Sequence, residues 1–587
     1  MDSVFLAGVL CAAAVVGPGA LLLRSVAGDR LRPAEFLVGS VGLSLLLVYG
    51  ATWAIYLLDA PRAAHSVVSF VNALVLFACI PLLRNLFSSS KEFRRMLASW
   101  GVFSAFSLVL LALVRTHSGG AWGGDWLEHY QRALFFLDHG ARDTKFLEVW
   151  TLPSRPPVMN LIEAHVLASA GKSYPAFQLV STLLSALVIL PALLLTRLFT
   201  RAPQRLGVLA ALFVLNPMLA QNATYSWTKL FAAFYALTGV AFYVAGIKLG
   251  SRVRVVLGFV FLAAGVLVHY SIAPYFLFVA GWEAVRAFRN RDRALGDAAW
   301  AAAASAILLA TWLGWSAATF GVRGTLASTS TVAQGAHFTA GGLAWNAVRN
   351  VWWTLIPHAL LDVDRSLIAQ TSVWGQLRDT FFLTYQTNLV LGLGLGGALL
   401  LFFPRKSVAP VRAFWIALTV FVAITGIAVA TEVGTFGLAH LCLQALVVLG
   451  LTAAACRWGA LPAGVRRLAV VLFAIDFALG IALQFALESL PMDHVSAFAV
   501  HWPDHMPLGL SWTAYANALA KEQWDVTYLG DLVAPLRGAA ALVALAVAGA
   551  ALARLWRQAA PGVGRNRLLR SSSGGRTSSR RRRACPR

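Results

Sequence analysis

FQLVSTLLSALVILPALLLT, residues 177–196, holds no charged side chain and is bounded by Lys172 and Arg197. A helix of that length rises about 30 Å, which matches the hydrocarbon core of a bilayer. Equivalent apolar runs recur in both directions, among them 4–23, 36–58, 64–83, 97–114, 229–247, 437–455, 468–487 and 535–553. Together they predict about fifteen transmembrane helices. The composition of the 587-residue chain agrees, with 59% hydrophobic and only 12% charged residues, against about 25% charged in soluble proteins. Mean hydropathy is +0.70. A soluble protein of this size has no means of hiding so much apolar surface, so the chain reads as an all-α polytopic membrane protein.

A net charge of +23 raises the question of nucleic acid, and the positions of the basic residues answer it. Of the 48 Lys and Arg, 34 fall in alternate connectors or in the tail from Arg554 onward. The connectors are marked by Arg24, Arg30 and Arg32, by Arg84, Lys91, Arg94 and Arg95, and by Lys248, Arg252 and Arg254, with later ones alike. That alternation is the positive-inside pattern and not a polyanion groove. It predicts an outer N-terminus, a cytoplasmic C-terminus and no nucleic-acid partner. On the same count 18 of the 25 acids and all 12 histidines lie in outer loops or at outer helix ends, so the chemistry is expected outside. Three outer segments are long: 115–176, 319–380 and 488–534. Residues 558–587 are rich in Arg, Ser and Gly and read as a disordered basic tail. The five cysteines form no CxxC pair and imply no disulfide framework.

The most informative outer stretch is AWGGDWLEHYQRALFFLDHG, residues 121–140. Gly123-Gly124 allow a sharp exit from the preceding span. Asp125 then stands where a helix starts, favoured by the exposed N–H groups and the macrodipole. Trp126, Leu127, Tyr130, Leu134 and Leu137 make one stripe of an amphipathic interfacial helix. Asp125, Glu128, His129 and Arg132 make the other, the acids and histidine at the spacing that shares one face. A capping acid on a solvated polar face is the alternative reading. Downstream, TLPSRPPVMNLIEAHVLA (151–168) carries Arg155 before a Pro-Pro pair, and NPMLAQNATYSWTKLFAAFYAL (216–237) sets Lys229 at an outer helix mouth. His269 and Tyr270 lie in HYSIAP at the outer end of another hairpin.

In their order and spacing, the DWLEHY motif, the RPPVMNLIEAHVLASAGKSYPAFQLVSTLLSALVILPALLLTRLF segment and the WTK hairpin resemble the N-terminal module of GT-C fold glycosyltransferases. The nearest likeness is to the bacterial relatives of protein O-mannosyltransferases and the aminoarabinose lipid A transferases, family 39-like. The resemblance spans roughly 97–290, after additional transmembrane helices in 1–96 and before further helices in 291–557. It implies a GT-C-type helical bundle in a bacterial-type cytoplasmic membrane. It also implies a polyprenyl-phosphate-linked sugar donor and an acceptor that is a lipid, a glycan or a protein. By the same resemblance Asp125 is the general base or aids metal binding, and Glu128 stands where relatives carry a second polar or acidic residue. The adjacent Asp-Glu pair of the family is absent, because Trp126 and Leu127 separate the two acids here.

Transfer from a lipid phosphate expels a stable anion, so one carboxylate suffices to take the acceptor proton. Positive charge must meet the departing phosphate. Lys229, Arg132 and Arg155 are the expected cations, and His129 and His269 are candidate ligands, with Asp125, for a possible divalent metal. Asp493, His494, His501, Asp504 and His505 match no metal motif. Trp352 and Trp353, near His358, Asp362 and Asp364, read as an aromatic belt. Asp476 is an intramembrane acid expected to pair with a polar group of another helix. A transporter or flippase of lipid-linked glycans is the competing function, and it predicts ionisable residues strung through the spans.

Overall fold

The computed structural model describes residues 2–118, 124–147, 150–200, 202, 204–289, 291–328, 339–357, 373–386, 388–404, 413, 416–421, 424–425, 442–490 and 526–560. The histidines and acids of 493–505, together with His358, Asp362, Asp364 and tail residues 561–587, lie outside these. The described chain is helical almost throughout. Twelve helices carry the argument: α1 (Asp2–Ala27), α2 (Pro33–Leu57), α3 (Ala63–Ser89), α4 (Lys91–Leu111), α5 (Asp125–Leu137), α6 (Val158–Ala170), α7 (Tyr174–Ala186), α8 (Ile189–Phe199), α9 (Gln204–Val214), α10 (Pro217–Thr224), α11 (Lys229–Leu249) and α12 (Arg252–Val268). An isolated bridge joins Phe146 to Trp150.

Among the described residues ten helices are long and apolar enough to cross a membrane, or eleven if a bent pair counts as one span. Three of the expected spans are broken or lie partly outside the described residues. Asn216 ends α9, its side chain caps Leu219, and Pro217 starts α10, so the expected span 207–220 is bent by 66°. The expected span 381–403 breaks at Asn388, which caps the helix Leu389–Gly392, and again at Gly394, whose φ is +73°. Much of 413–430 lies outside the described residues.

Two closely packed pairs, α1 with α2 and α11 with α12, form much of the frame, and α1 and α2 also pack on α6. Glycines let α11 and α12 approach: a Cβ on Gly239 would meet the Gly258 carbonyl at 2.7 Å. These small-residue contacts replace the hydrophobic drive that lipid removes. The alternation of direction puts Glu35, Lys248 and Arg254 at one end of the bundle. Tyr56, Lys229 and Tyr270 sit at the other, roughly 30 Å away along α11.

Asp476 accepts a hydrogen bond from the Gly396 backbone N–H at 3.1 Å, so its partner is the start of a broken helix and not a side chain. Asn222 is buried, donates to Gln386 at 2.6 Å and accepts from Gln444 at 2.9 Å. It belongs to an amide network inside the bundle.

Candidate functional site

α5 does not present a solvated polar face. Both of its stripes are buried, and the polar one is paired. Glu128 and Arg132, one turn apart, meet at 2.8 Å. Arg132 spends its remaining donors on the segment 151–154: Nη1 on the Leu152 carbonyl at 2.9 Å, Nη2 on the Thr151 carbonyl at 3.0 Å and on Ser154 Oγ at 2.7 Å. The Phe146 ring covers its guanidinium at 4.1 Å. Tyr270 supports the same segment from behind. Its hydroxyl donates to the Pro153 carbonyl at 3.2 Å and accepts from the Trp312 indole at 2.8 Å.

That segment delivers Arg155. The residue before a proline is driven out of the helical region, and Arg155 is extended (φ −132°, ψ 141°) ahead of Pro156. Its Nη2 donates to Asp125 Oδ1 at 2.8 Å and its Nε to Glu128 Oε2 at 3.4 Å. Side-chain exposures separate the roles: 21% for Arg155 and 14% for Asp125, against 0% for Glu128 and 1% for Arg132. A ligand can reach the first two. Arg132, expected to face a phosphate, is a buried strut.

Lys229 arrives from another part of the chain. Between α10 and α11 the backbone turns at Ser226, whose φ of +57° is a left-handed conformation uncommon for a residue with a Cβ. The turn swings Trp227 and Lys229 back to α5. The ammonium lies over the Trp227 ring at 5.2 Å, within electrostatic reach of both Asp125 and Arg155. Cys442 donates its thiol to the Lys229 carbonyl at 3.3 Å.

The two acids are driven apart electrostatically. Burial pushes the Asp125 carboxyl above the usual range, with Arg155 and Lys229 opposing and the Glu128 charge adding to the rise. Burial acts upward on Glu128 too, yet Arg155 and Arg132 outweigh it and hold that carboxyl below its usual range. Opposite shifts on two neighbouring carboxyls suit them to different protonation states.

Behind them His129 is neutral, pushed down to about 3 by burial despite Glu128. The Asn160 amide holds it, 3.3 Å from its Nδ1 and 3.1 Å from its carbonyl. Asn160 also meets Glu163 at 3.3 Å, and Ser181 donates to Glu163 at 2.6 Å. Burial lifts the Glu163 carboxyl well above its ordinary range. His269 Nδ1 accepts the Ser271 N–H at 3.1 Å and so caps a short turn. Among the described residues no three His, Cys, Asp or Glu side chains group so as to hold a metal ion. His129, His269 and Asp125 therefore do not make the ligand set that the sequence allowed.

A second polar cluster adjoins the first. Arg378 donates to Thr116 Oγ1 at 2.9 Å and lies 3.5 Å from Asp379, while Glu488 accepts from Ser118 at 2.5 Å and from Gln484 at 3.0 Å. Tyr225 stands between the clusters, in electrostatic reach of Asp125 on one side and of Asp379 and Glu488 on the other. Its ring packs on Trp227, Phe382 and His117. Sequence reasoning missed Asn160, Glu163, Trp227, Tyr225 and this second cluster. An acid within the apolar run of 158–170 was the available signal for Glu163, and the Trp beside Lys229 for Trp227.

No protein-family model matches the chain, and no curated protein matches it. Among solved structures it is similar to ArnT from Cupriavidus metallidurans bound to undecaprenyl phosphate. The identity is 16% and the TM-score 0.42, covering 78% of this chain and 75% of that one. The apo form of ArnT matches over the same shares at 15% identity and TM-score 0.42. The arabinosyltransferase EmbB from Mycobacterium smegmatis matches at 13% identity and TM-score 0.34, covering 84% of this chain and 46% of that one. Both are GT-C fold glycosyltransferases, the class the sequence resembles. Likenesses this distant carry no argument about the reaction, which rests on the site.

Proposed function

We propose that the chain is a membrane glycosyltransferase of the GT-C type. In this reading it moves a sugar from a polyprenyl-phosphate donor to an acceptor hydroxyl at the outer face of a bacterial-type cytoplasmic membrane. The observation that carries the reading is one patch at one end of an apolar bundle. There, a reachable carboxylate of raised basicity stands beside two cations, Arg155 and Lys229.

Asp125 takes the proton of the acceptor hydroxyl. The acceptor oxygen bonds to the anomeric carbon on the face opposite the phosphate. The bond from that carbon to the phosphate oxygen breaks, and its electron pair leaves with the polyprenyl phosphate, inverting the centre. Arg155 and Lys229 meet the charge that develops there, which is the electrostatic part of the catalysis. Glu128 stays ionised and fixes Arg132 and Arg155, and no step requires a metal. A general base contributes about 10²- to 10⁴-fold in rate.

The test is sugar release from a polyprenyl-phosphate donor in membranes, comparing wild type with Asp125→Asn. Equal turnover removes Asp125 from its role. Lipid translocation without sugar transfer favours the flippase instead.

A further inference from the structure

Arg155 is the most exposed cation of the outer cluster, and it is held asymmetrically: one short bond to Asp125 at 2.8 Å and one long bond to Glu128 at 3.4 Å. The consequences of its leaving are also asymmetric. Glu128 keeps Arg132 at 2.8 Å and stays compensated. Asp125 gives up the ion pair that occupies its Oδ1. The backbone need not move, because Pro156 fixes Arg155 in an extended conformation and Arg132 clamps Thr151, Leu152 and Ser154 ahead of it. Only the long side chain has to swing. A planar guanidinium binds carboxylate and phosphate with the same fork, so one side chain can serve either anion, one at a time.

We propose that Arg155 is a transferable cation. In the lipid-free protein it masks the Asp125 carboxylate, and an arriving phosphate group draws it off and uncovers that carboxylate. The base is then available only when the donor is seated. This inference rests on the lipid-phosphate reading above and adds an order to it: phosphate first, acceptor proton second.

The test is a double-mutant cycle read by binding of undecaprenyl phosphate to the full-length protein in detergent. The four forms are wild type, Asp125→Asn, Arg155→Gln and the double variant, each checked for an unchanged thermal midpoint. Loss of Arg155 is expected to weaken binding about tenfold or more, as for a charge-assisted pair. Asp125→Asn is expected to tighten it several-fold, because the competing carboxylate is gone, and that gain should vanish in the Arg155→Gln background. An equal gain in both backgrounds means simple charge repulsion and overturns the transfer, as does no gain at all. Should Arg155→Gln fail to fold, Arg155→Lys, which keeps the charge and loses the fork, takes its place in the same cycle. Inorganic phosphate provides a second arm. A cycle reproduced with it supports transfer to the phosphate group alone, and a cycle seen only with the lipid supports transfer that needs the polyprenyl chain seated. A wild-type protein that binds neither ligand overturns the lipid-phosphate reading itself.

Discussion

The two ends of the bundle each bury an ion-pair cluster, and they are built differently. At the end marked by the basic connectors, Arg254 meets Glu35 with Nη2 at 2.8 Å and Nε at 3.3 Å. The remaining groups are also used: Arg254 donates to the Arg30 carbonyl at 2.6 Å, and the Arg32 N–H donates to Glu35 at 2.9 Å. One acid, one base and the local backbone close on themselves. At the other end two acids, Asp125 and Glu128, share the neighbourhood with Arg132, Arg155 and Lys229, and the cluster of Arg378, Asp379 and Glu488 adjoins them through Tyr225. A buried charge without its counterpart is costly. The first cluster ties α2 to α12 and is closed, whereas the second leaves Arg155 and Asp125 partly exposed, where a ligand can reach them.

The comparison breaks most sharply at Asp125. Asp125→Asn should lower turnover about 10²- to 10⁴-fold while leaving the thermal midpoint near that of wild type. Next in size is the opposite variant. Glu35→Gln strands the buried Arg254 guanidinium and should cost about 3–5 kcal/mol of stability, read by thermal or denaturant unfolding in detergent. Turnover per folded molecule should stay unchanged. If Glu35→Gln instead abolished turnover at full stability, the division between a structural and a working cluster would be wrong.

The pH profile sharpens the same contrast. Asp125 works as a base only when ionised, and burial raises its carboxyl even against Arg155 and Lys229. The rate under limiting donor should therefore rise with pH through an apparent pKa above the ordinary carboxylate value of about 4. His129, pushed down to about 3, is already neutral over that range and adds no limb near pH 6.5. A limb at an ordinary carboxylate pKa, or one that survives in Asp125→Asn, would contradict the assignment.

How much of this was legible in the chain follows from the range of each signal. A run such as 177–196 declares its span because membrane crossing depends on local apolarity alone. Asp125 and Arg155 were legible as members of one long loop, since a helix start and a Pro-Pro pair are local devices. Arg132 was not. A cation at that spacing looks the same whether its donors face a ligand or, as here, the carbonyls of 151 and 152. The approach of Lys229 depends on the left-handed turn at Ser226, where no glycine announces it. Arg378 and Asp379 lie in the middle of the helix Val373–Gln386 and Glu488 ends the helix Gln484–Glu488, so their approach is a long-range event that no local pattern announces. The break in the run 381–403 was hidden for a similar reason: Asn388 and Gly394 interrupt it without changing its hydropathy.

Gly394 provides a smaller test, within the spans. Its φ is +73°, and an added Cβ would lie 2.7 Å from Asp476 Oδ2, the group that caps the following turn. Gly394→Ala should cost about 1–3 kcal/mol, the usual price of such a strained position, again read as a lowered unfolding midpoint. Turnover of the folded protein should be unaffected.

The smallest expected effect is at Glu163, a buried acid whose hydrogen-bond partners are neutral. Its partners are the Ser181 hydroxyl at 2.6 Å and the Asn160 amide at 3.3 Å. Burial lifts its carboxyl well above the ordinary range and so favours the neutral form, whereas two arginines hold Glu128 below its usual range. An amide has nearly the shape and charge of a protonated carboxyl, and Asn160 Oδ1, otherwise without a partner, can take the new N–H. Glu163→Gln should thus hold stability within about 1 kcal/mol, the net worth of one hydrogen bond. Glu128→Gln removes a charge on which two guanidiniums depend and should lose several times more. Equal losses at the two positions would show that Glu163 is also ionised, and that the outer cluster extends through Asn160 into the core.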